Sequence, residues 1–303
     1  MPRLDRILKD RGLSSSKARD ALRHGKVFLN GVPTALGGRE VDPAAVTLRP
    51  EAPRIQPGRD VAFLHSDPHL VVVWKPAGLL SVPAPRRGGH QSLLGVVGRA
   101  FGAALPVHRL DEQTSGVMLV ARTARAQTAL KRLFETHDIE REYRALVLGT
   151  PPRRPLRIDS VLVRDRGDGL RGSAPEGDAP GDGRPATTWV RQVEVVGKGV
   201  SLVAARLETG RTHQVRIHLS EQGWPVLGDP LYASKGVRRR SPRLALHALR
   251  LAFRHPLTGQ DLAFDTPLAD DLEQLRMSMT RPGPAEPRPT GARGRPRRGR
   301  RRS

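Results

Sequence analysis

PVHRLDEQTSGVMLVAR, residues 106–122, runs a polar loop directly into the apolar strand candidate VMLVA. Asp111 therefore sits in a loop at the start of a strand, and a strand end holds a side chain with the rigidity that a reactive group requires. On this segment alone the plainer reading is the stronger one: a loop carboxylate that caps a turn or pairs with Arg109.

Outward from this stretch, short apolar runs bounded by turn residues predict further strands in VAFLH, HLVVVWK, REYRALVLG, TTWVRQVEVV and VSLVAARLE. Helix-period segments predict helices in SLLGVVGRAFG, ARAQTALKRLFETHD, HQVRIHLSEQG and PLADDLEQLRMSM. Long strands that pair as hairpins, with helices interspersed irregularly, define an α+β domain rather than a doubly wound sheet. This domain spans residues 61–279, and its sheet is expected to be mixed and mainly antiparallel with flanking helices. Within it, residues 165–186 are rich in Gly, Asp and Pro and read as a surface loop.

Ahead of it, residues 1–48 read as a small α/β unit. Leu4, Ile7 and Leu8 share one helical face that ends at Gly12, and Ser14 to Ser16 precede a second helix whose Ala18, Ala21 and Leu22 face inward. Lys17, Arg19 and Arg23 cluster on its outer face, and Asn30 and Gly31 suit a two-residue hairpin turn. Residues 49–60, rich in Pro and charge, read as a linker. Residues 280–303 hold nine Arg against one Glu and read as a disordered tail.

The chain of 303 residues carries 52 Lys and Arg against 30 Asp and Glu, a formal charge of +22 that calls for a polyanionic partner. Nucleic acid fits this charge better than a membrane, because no long amphipathic helix with an aromatic face accompanies it. No apolar run approaches the roughly 20 residues that cross a bilayer. The absence of Cys excludes disulfides, thiolate metal sites and cysteine nucleophiles, and fits a reducing cytoplasm.

LETGRTHQVRIHLSEQG, residues 207–223, gathers Arg211, His213, Arg216 and His218 around a helix start that Thr212 is placed to cap, a setting that favours anions. His213 and His218 are five residues apart, not the four that share a helix face, so no metal is expected. Tyr143 in REYRALVLG, taken alone, is an ordinary half-buried strand residue, and KPAGLLSVP at 75–83 is a turn between apolar runs.

Taken together, HRLDEQTSG at 108–116, WKPAGLLSVP at 74–83, REYRALVLG at 141–149, ETGRTHQVRIHLS at 208–220 and GDPLYA at 228–233 resemble the RluA-type pseudouridine synthases, in the same order. The amino-terminal block RLDRILKDRGLSSSKARDALRHGKVFLNG resembles the S-four-type RNA-binding domain, which grips structured RNA by its shape. The resemblance implies an isomerase, built on the pseudouridine synthase fold, that moves the uracil–ribose bond from a ring nitrogen to a ring carbon. It also implies that Asp111 is the catalytic aspartate, Tyr143 the active-site tyrosine and Arg216 the basic partner of the aspartate. Arg109 would enter the RNA where the target base has left the stack, with His108, Arg211 and His213 as further RNA contacts.

No cofactor follows from such a reaction. The expected partner is structured RNA, with large-subunit ribosomal RNA favoured over transfer RNA by the attached module, and the chain is expected to act as a monomer without a protein partner. A non-catalytic RNA-binding or ribosome-assembly factor is the principal competing reading, and a base-cleaving hydrolase the lesser one.

Overall fold

A computed structural model describes residues 1–23, 26–29, 32–33, 40–50, 61–84, 92–175, 181 and 183–280. The expected Asn30–Gly31 turn, most of the 49–60 linker, part of the 165–186 loop and the tail from 281 lie outside the described residues, as does the Arg23 side chain.

The amino-terminal block opens with α1 (Leu4–Asp10) and α2 (Ser15–Arg23). Ser14 Oγ accepts the Lys17 N–H at 3.3 Å near the start of α2. Three short strands, β1 (Val27–Leu29), β2 (Val32–Pro33) and β3 (Val46–Leu48), form a separate antiparallel sheet in the order β2-β1-β3. Leu4, Ile7, Leu8, Ala18, Ala21, Leu22 and Val27 are buried together in their own cluster, while Lys17 and Arg19 stay exposed.

The rest of the chain builds one large sheet. Its elements are β4 (Ala62–Ser66), β5 (Leu70–Lys75), α3 (Leu93–Phe101), β6 (Leu105–Pro106), β7 (Ser115–Ala121), α4 (Ala124–Glu135), β8 (Ile139–Leu148), β9 (Leu156–Val163), β10 (Gly172–Ser173), β11 (Arg184–Gly197), β12 (Val200–Leu207), α5 (Gln214–Glu221), α6 (Lys235–Arg238), β13 (Leu246–Arg254), β14 (Asp261–Asp265) and α7 (Asp270–Thr280). The strands run in the order β10-β9-β11-β12-β8-β13-β7-β5-β4, with β14 on β13 and β6 on β7. All these pairings are antiparallel except that of β13 with β7. The expected α+β class with a mixed, mainly antiparallel sheet is therefore observed.

Every residue of β5 and β7 is buried. Strands covered on both faces read as continuous apolar runs rather than alternating ones, which is why LVVVW and VMLVA carry no polar positions. α3 and α4 belong to the same core through Leu93, Leu94, Val97, Ala126 and Leu130. Ser92 and Thr123 cap them by accepting the N–H groups of Gly95 and Ala126.

The parallel crossing of β7 and β13 fixes the frame of the site. Gly116 pairs with Ala248 there at φ +122°, and a Cβ at Gly116 would collide with the Ala248 carbonyl. Only glycine lets the two backbones meet so closely. On the other side of β13, Ala248 pairs with Tyr143 of β8. Tyr143 thus stands two strand spacings, about 10 Å, from the strand that receives the Asp111 loop.

Candidate active site

The loop that carries Asp111 is clamped from below by the 75–81 segment. Lys75, fully buried at the end of β5, donates from Nζ to the carbonyls of Pro76 at 2.9 Å, Leu79 at 2.8 Å and Glu112 at 3.1 Å. The Gly78 N–H also donates to the Glu112 carbonyl, at 2.8 Å. Ser81 Oγ donates to the Leu110 carbonyl at 2.6 Å and accepts the Leu110 N–H at 3.0 Å. Both neighbours of Asp111 are therefore pinned, and the Thr114 N–H closes the turn onto the Asp111 carbonyl at 3.0 Å. Burial pushes the Lys75 ammonium down to about 7. The charges of Asp111 and Glu112 oppose this, and the three carbonyls take the three hydrogens of the ammonium.

Arg216, on the first turn of α5, meets the aspartate. Its Nη1 donates to Asp111 Oδ2 at 2.9 Å, while Nε and Nη2 donate to Asp229 Oδ2 at 2.7 Å and Oδ1 at 2.8 Å. The Arg216 side chain is 5% exposed, Asp229 0% and Asp111 20%. The fork-to-fork pair with Asp229 fixes the guanidinium plane, so that one remaining N–H edge points at Asp111. Burial works against the charge on Arg216, but the two carboxylates outweigh it and push its pKa up. Burial also raises Asp229, yet Arg216 and the N–H groups of Leu231 and Tyr232 hold its carboxyl below the usual range. The expected alternative of an Asp111–Arg109 pair is corrected: Arg216 holds the carboxylate, and Arg109 is exposed.

The turn ahead of α5 departs from its sequence reading. Thr212 does not cap the helix; the N-cap position belongs to His213, in a left-handed conformation and without a side-chain cap bond. Gln214 organises the turn instead. Its Oε1 accepts the Arg211 N–H at 2.9 Å and the Thr209 hydroxyl at 2.8 Å, and its Nε2 donates to the Thr187 carbonyl and the Thr188 hydroxyl.

Arg109, Asp111, Tyr143, Arg211, His213 and Arg216 line one cleft open to solvent. Burial pushes the Tyr143 phenol up, with Arg141 opposing, so its hydroxyl stays protonated at neutral pH. His108 is used differently. Its Nε2 accepts the Leu119 N–H at 3.0 Å, its ring stacks on Phe134 with centroids 4.7 Å apart, and burial pushes its pKa down to about 3. This neutral ring anchors the loop to β7 and α4 and presents no charge to a phosphate. Lys17 and Arg19 lie in the amino-terminal block, outside the cleft. His218 is buried beneath, bonded to Ser160 at 3.0 Å, and among the described residues no group of His, Cys, Asp or Glu is arranged to hold a metal.

Sequence reasoning passed over Asp229 as an individual residue, and the buried role of Lys75. The available signal was the lone charge in VLGDPLY and in LVVVWKP, each set in otherwise apolar surroundings.

The family described as RNA pseudouridylate synthase matches residues 69–221, which include Asp111, Tyr143 and Arg216. The dual-specificity RNA pseudouridine synthase RluA of Escherichia coli K12 is 37% identical over 207 residues, covering 68% of this chain and 93% of RluA. The chain belongs to the RluA-type pseudouridine synthases. As a member of this family it is an isomerase that converts uridine to pseudouridine in RNA. Ribosomal large subunit pseudouridine synthase D of Neisseria meningitidis is 32% identical over 298 residues, covering 90% of this chain and 77% of the relative. Among solved structures, human RNA pseudouridylate synthase domain containing 1 superposes with a TM-score of 0.59 at 25% identity, covering 76% of this synthase and all of the human chain.

Proposed function

We propose that this synthase isomerises uridine in large-subunit ribosomal RNA, with Asp111 as the carboxylate that acts on the ribose. The observation that carries the chemistry is the arrangement around that carboxylate. Oδ2 is held by Arg216 at 2.9 Å, and Arg216 is itself fixed by buried Asp229, so Oδ1 is the oxygen left to face the cleft. Whether Oδ1 adds to the anomeric carbon or removes the neighbouring proton to give a glycal, uracil is freed in the cleft, turns, and rejoins through its ring carbon. Tyr143 lines the same cleft and, in this reading, covers the face of the base, its protonated hydroxyl relaying the proton that leaves that carbon by accepting it as it gives up its own.

The target base must leave its helix to reach the cleft, which costs a few kcal/mol of stacking and pairing. Binding along the RNA offsets this cost. Arg109 and Arg211, exposed at the cleft mouth, suit the vacated stack and the flanking phosphates. The amino-terminal block, read as an S-four-type module, adds Lys17, Arg19 and Arg23 as further RNA contacts. Its presence favours ribosomal over transfer RNA. So does the match to the Neisseria large-subunit enzyme, which spans too much of this chain to leave that block out entirely. One chain supplies every group named, and an isomerisation consumes no electrons, water or group donor, so neither cofactor nor protein partner is required.

Pseudouridine mapping of RNA from cells with and without the gene tests the proposal. Loss of a modification in large-subunit ribosomal RNA, restored by the wild-type gene but not by Asp111→Asn, is the expected result. A site lost only from transfer RNA would overturn the substrate, and an unchanged map would favour a binding-only protein.

A further inference from the structure

His213 occupies a left-handed position where glycine is the unstrained choice. It precedes α5 at φ +62°, a left-handed conformation that suits glycine best and that asparagine, aspartate and histidine tolerate better than other side chains, and its side chain makes no bond to the helix it caps. The backbone therefore admits a histidine here without requiring an imidazole.

The ring's contacts give a reason for one. Nδ1 lies 2.9 Å from the Tyr232 hydroxyl, and the two rings meet edge to face with centroids 5.6 Å apart. Nε2 lies 3.8 Å from Asp111 Oδ1, the oxygen that Arg216 does not hold. An imidazole facing a carboxylate directs its N–H toward it, so Nε2 carries the hydrogen, Nδ1 is the acceptor, and the Tyr232 hydroxyl donates. Burial pushes the His213 pKa down, with Asp111 opposing, so the ring holds this neutral tautomer at neutral pH.

Tyr232 is in turn fixed by the partner of Arg216. Asp229 Oδ1 accepts the Tyr232 N–H at 3.1 Å, and the Ser220 hydroxyl donates to the Tyr232 carbonyl at 2.6 Å. The contacts close a circuit that runs from Asp111 Oδ2 through Arg216, Asp229, Tyr232 and His213 back to Asp111 Oδ1. One side of the carboxylate is gripped at hydrogen-bond distance and the other is faced by an N–H at 3.8 Å.

We propose that His213 is a positioning residue for the isomerisation, its Nε2–H directing Asp111 Oδ1 toward the ribose, and that Tyr232 holds the imidazole in the tautomer this requires. The proposal rests on Asp111 being the reacting carboxylate. It assigns the histidine to the chemical step rather than to RNA affinity, the role its sequence alone suggested.

The left-handed backbone provides a clean test, because His213→Gly removes the ring while easing the turn. Single-turnover kinetics on one RNA transcript, with Kd and melting temperature measured for the same full-length proteins, separate the possible roles. His213→Gly is expected to melt no lower than wild type and to bind RNA within about twofold, yet to isomerise about 10–100-fold more slowly, the scale set by loss of a partner that orients a metal ligand. Tyr232→Phe should slow the same step less, and His213→Asn, which tolerates the backbone and restores an N–H, should recover part of the rate. A wild-type rate in His213→Gly overturns the proposal, as does a loss confined to Kd or matched by a fall in melting temperature. Asp111→Asn run alongside keeps the two claims apart: if it remains fully active, the underlying reading has failed, whereas an inactive Asp111→Asn with an active His213→Gly defeats this proposal alone.

Discussion

Replacing Asp229 by Asn tests how the Asp111 carboxylate is held. Asp229 is fully buried and takes two charge-assisted hydrogen bonds from Arg216, each of the kind worth about 1.5–3 kcal/mol. Removing one partner of a buried ion pair costs about 3–5 kcal/mol. Asp111 still contacts Nη1 at 2.9 Å in the variant, so the lower end applies, about 3 kcal/mol. For a domain of this size that lowers the melting temperature by about 6–12 °C. The effect depends on pH with a defined sign. The folded-state pKa of Asp229 is depressed, so its stabilisation is present above the unfolded value of about 3.9 and is lost as pH falls through the folded pKa. Asp229→Asn should therefore differ from wild type at pH 7 and converge toward it in acid. Because the guanidinium loses its fixed plane, turnover should fall more than RNA affinity does. Thermal melts across pH, paired with single-turnover rates, provide the measurement. A variant within about 0.5 kcal/mol of wild type, the range of an inconsequential surface change, and with an unchanged rate, would refute the claim that Asp229 orients Arg216.

Two further outcomes are expected. Lys75→Met leaves the carbonyls of Pro76, Leu79 and Glu112 without their donor, so it should destabilise the fold by about 2–4 kcal/mol and slow turnover by loosening the Asp111 loop. A lysine lowered to about 7 binds fewer protons folded than unfolded between about pH 7 and 10, so wild-type stability gains a component that rises with pH across that window. Urea titrations at pH 7 and 9 should show this component in wild type and not in the variant. Removing residues 281–303, with nine Arg against one Glu, should weaken RNA binding and flatten its dependence on salt while leaving the rate at saturating RNA nearly unchanged. An unaltered salt slope would show that the tail does not contact phosphate.

The sequence made the central strands legible because burial on both faces leaves uninterrupted apolar runs such as LVVVW and VMLVA. β13 was not legible. LHALRLAFR is composed largely of Leu, Ala and Arg, which are good helix formers, and only its place between β8 and β7 makes it a strand. β9 and β14 were also missed: β9 pairs across a long connection, Asp159 opposite Thr187, and β14 is only five residues long, Phe264 opposite Leu251. Asp111, Tyr143 and Arg216 could be named from their motifs, and the cleft brings the three together. Asp229 could not be assigned, because a buried carboxylate makes sense only once its arginine is in place. Thr212 has the better capping chemistry for the start of α5, yet Gln214 satisfies the preceding turn and leaves that position to His213.

Asp111 is the group whose action can be read bond by bond, with RNA labelled with tritium at the uracil ring carbon that joins the ribose. Each conversion replaces that hydrogen with the bond to ribose and releases tritium into water. Wild-type protein is expected to release it, and Asp111→Asn to release none while binding the same RNA with nearly unchanged affinity. Tritium release by Asp111→Asn at the wild-type rate would contradict the assignment.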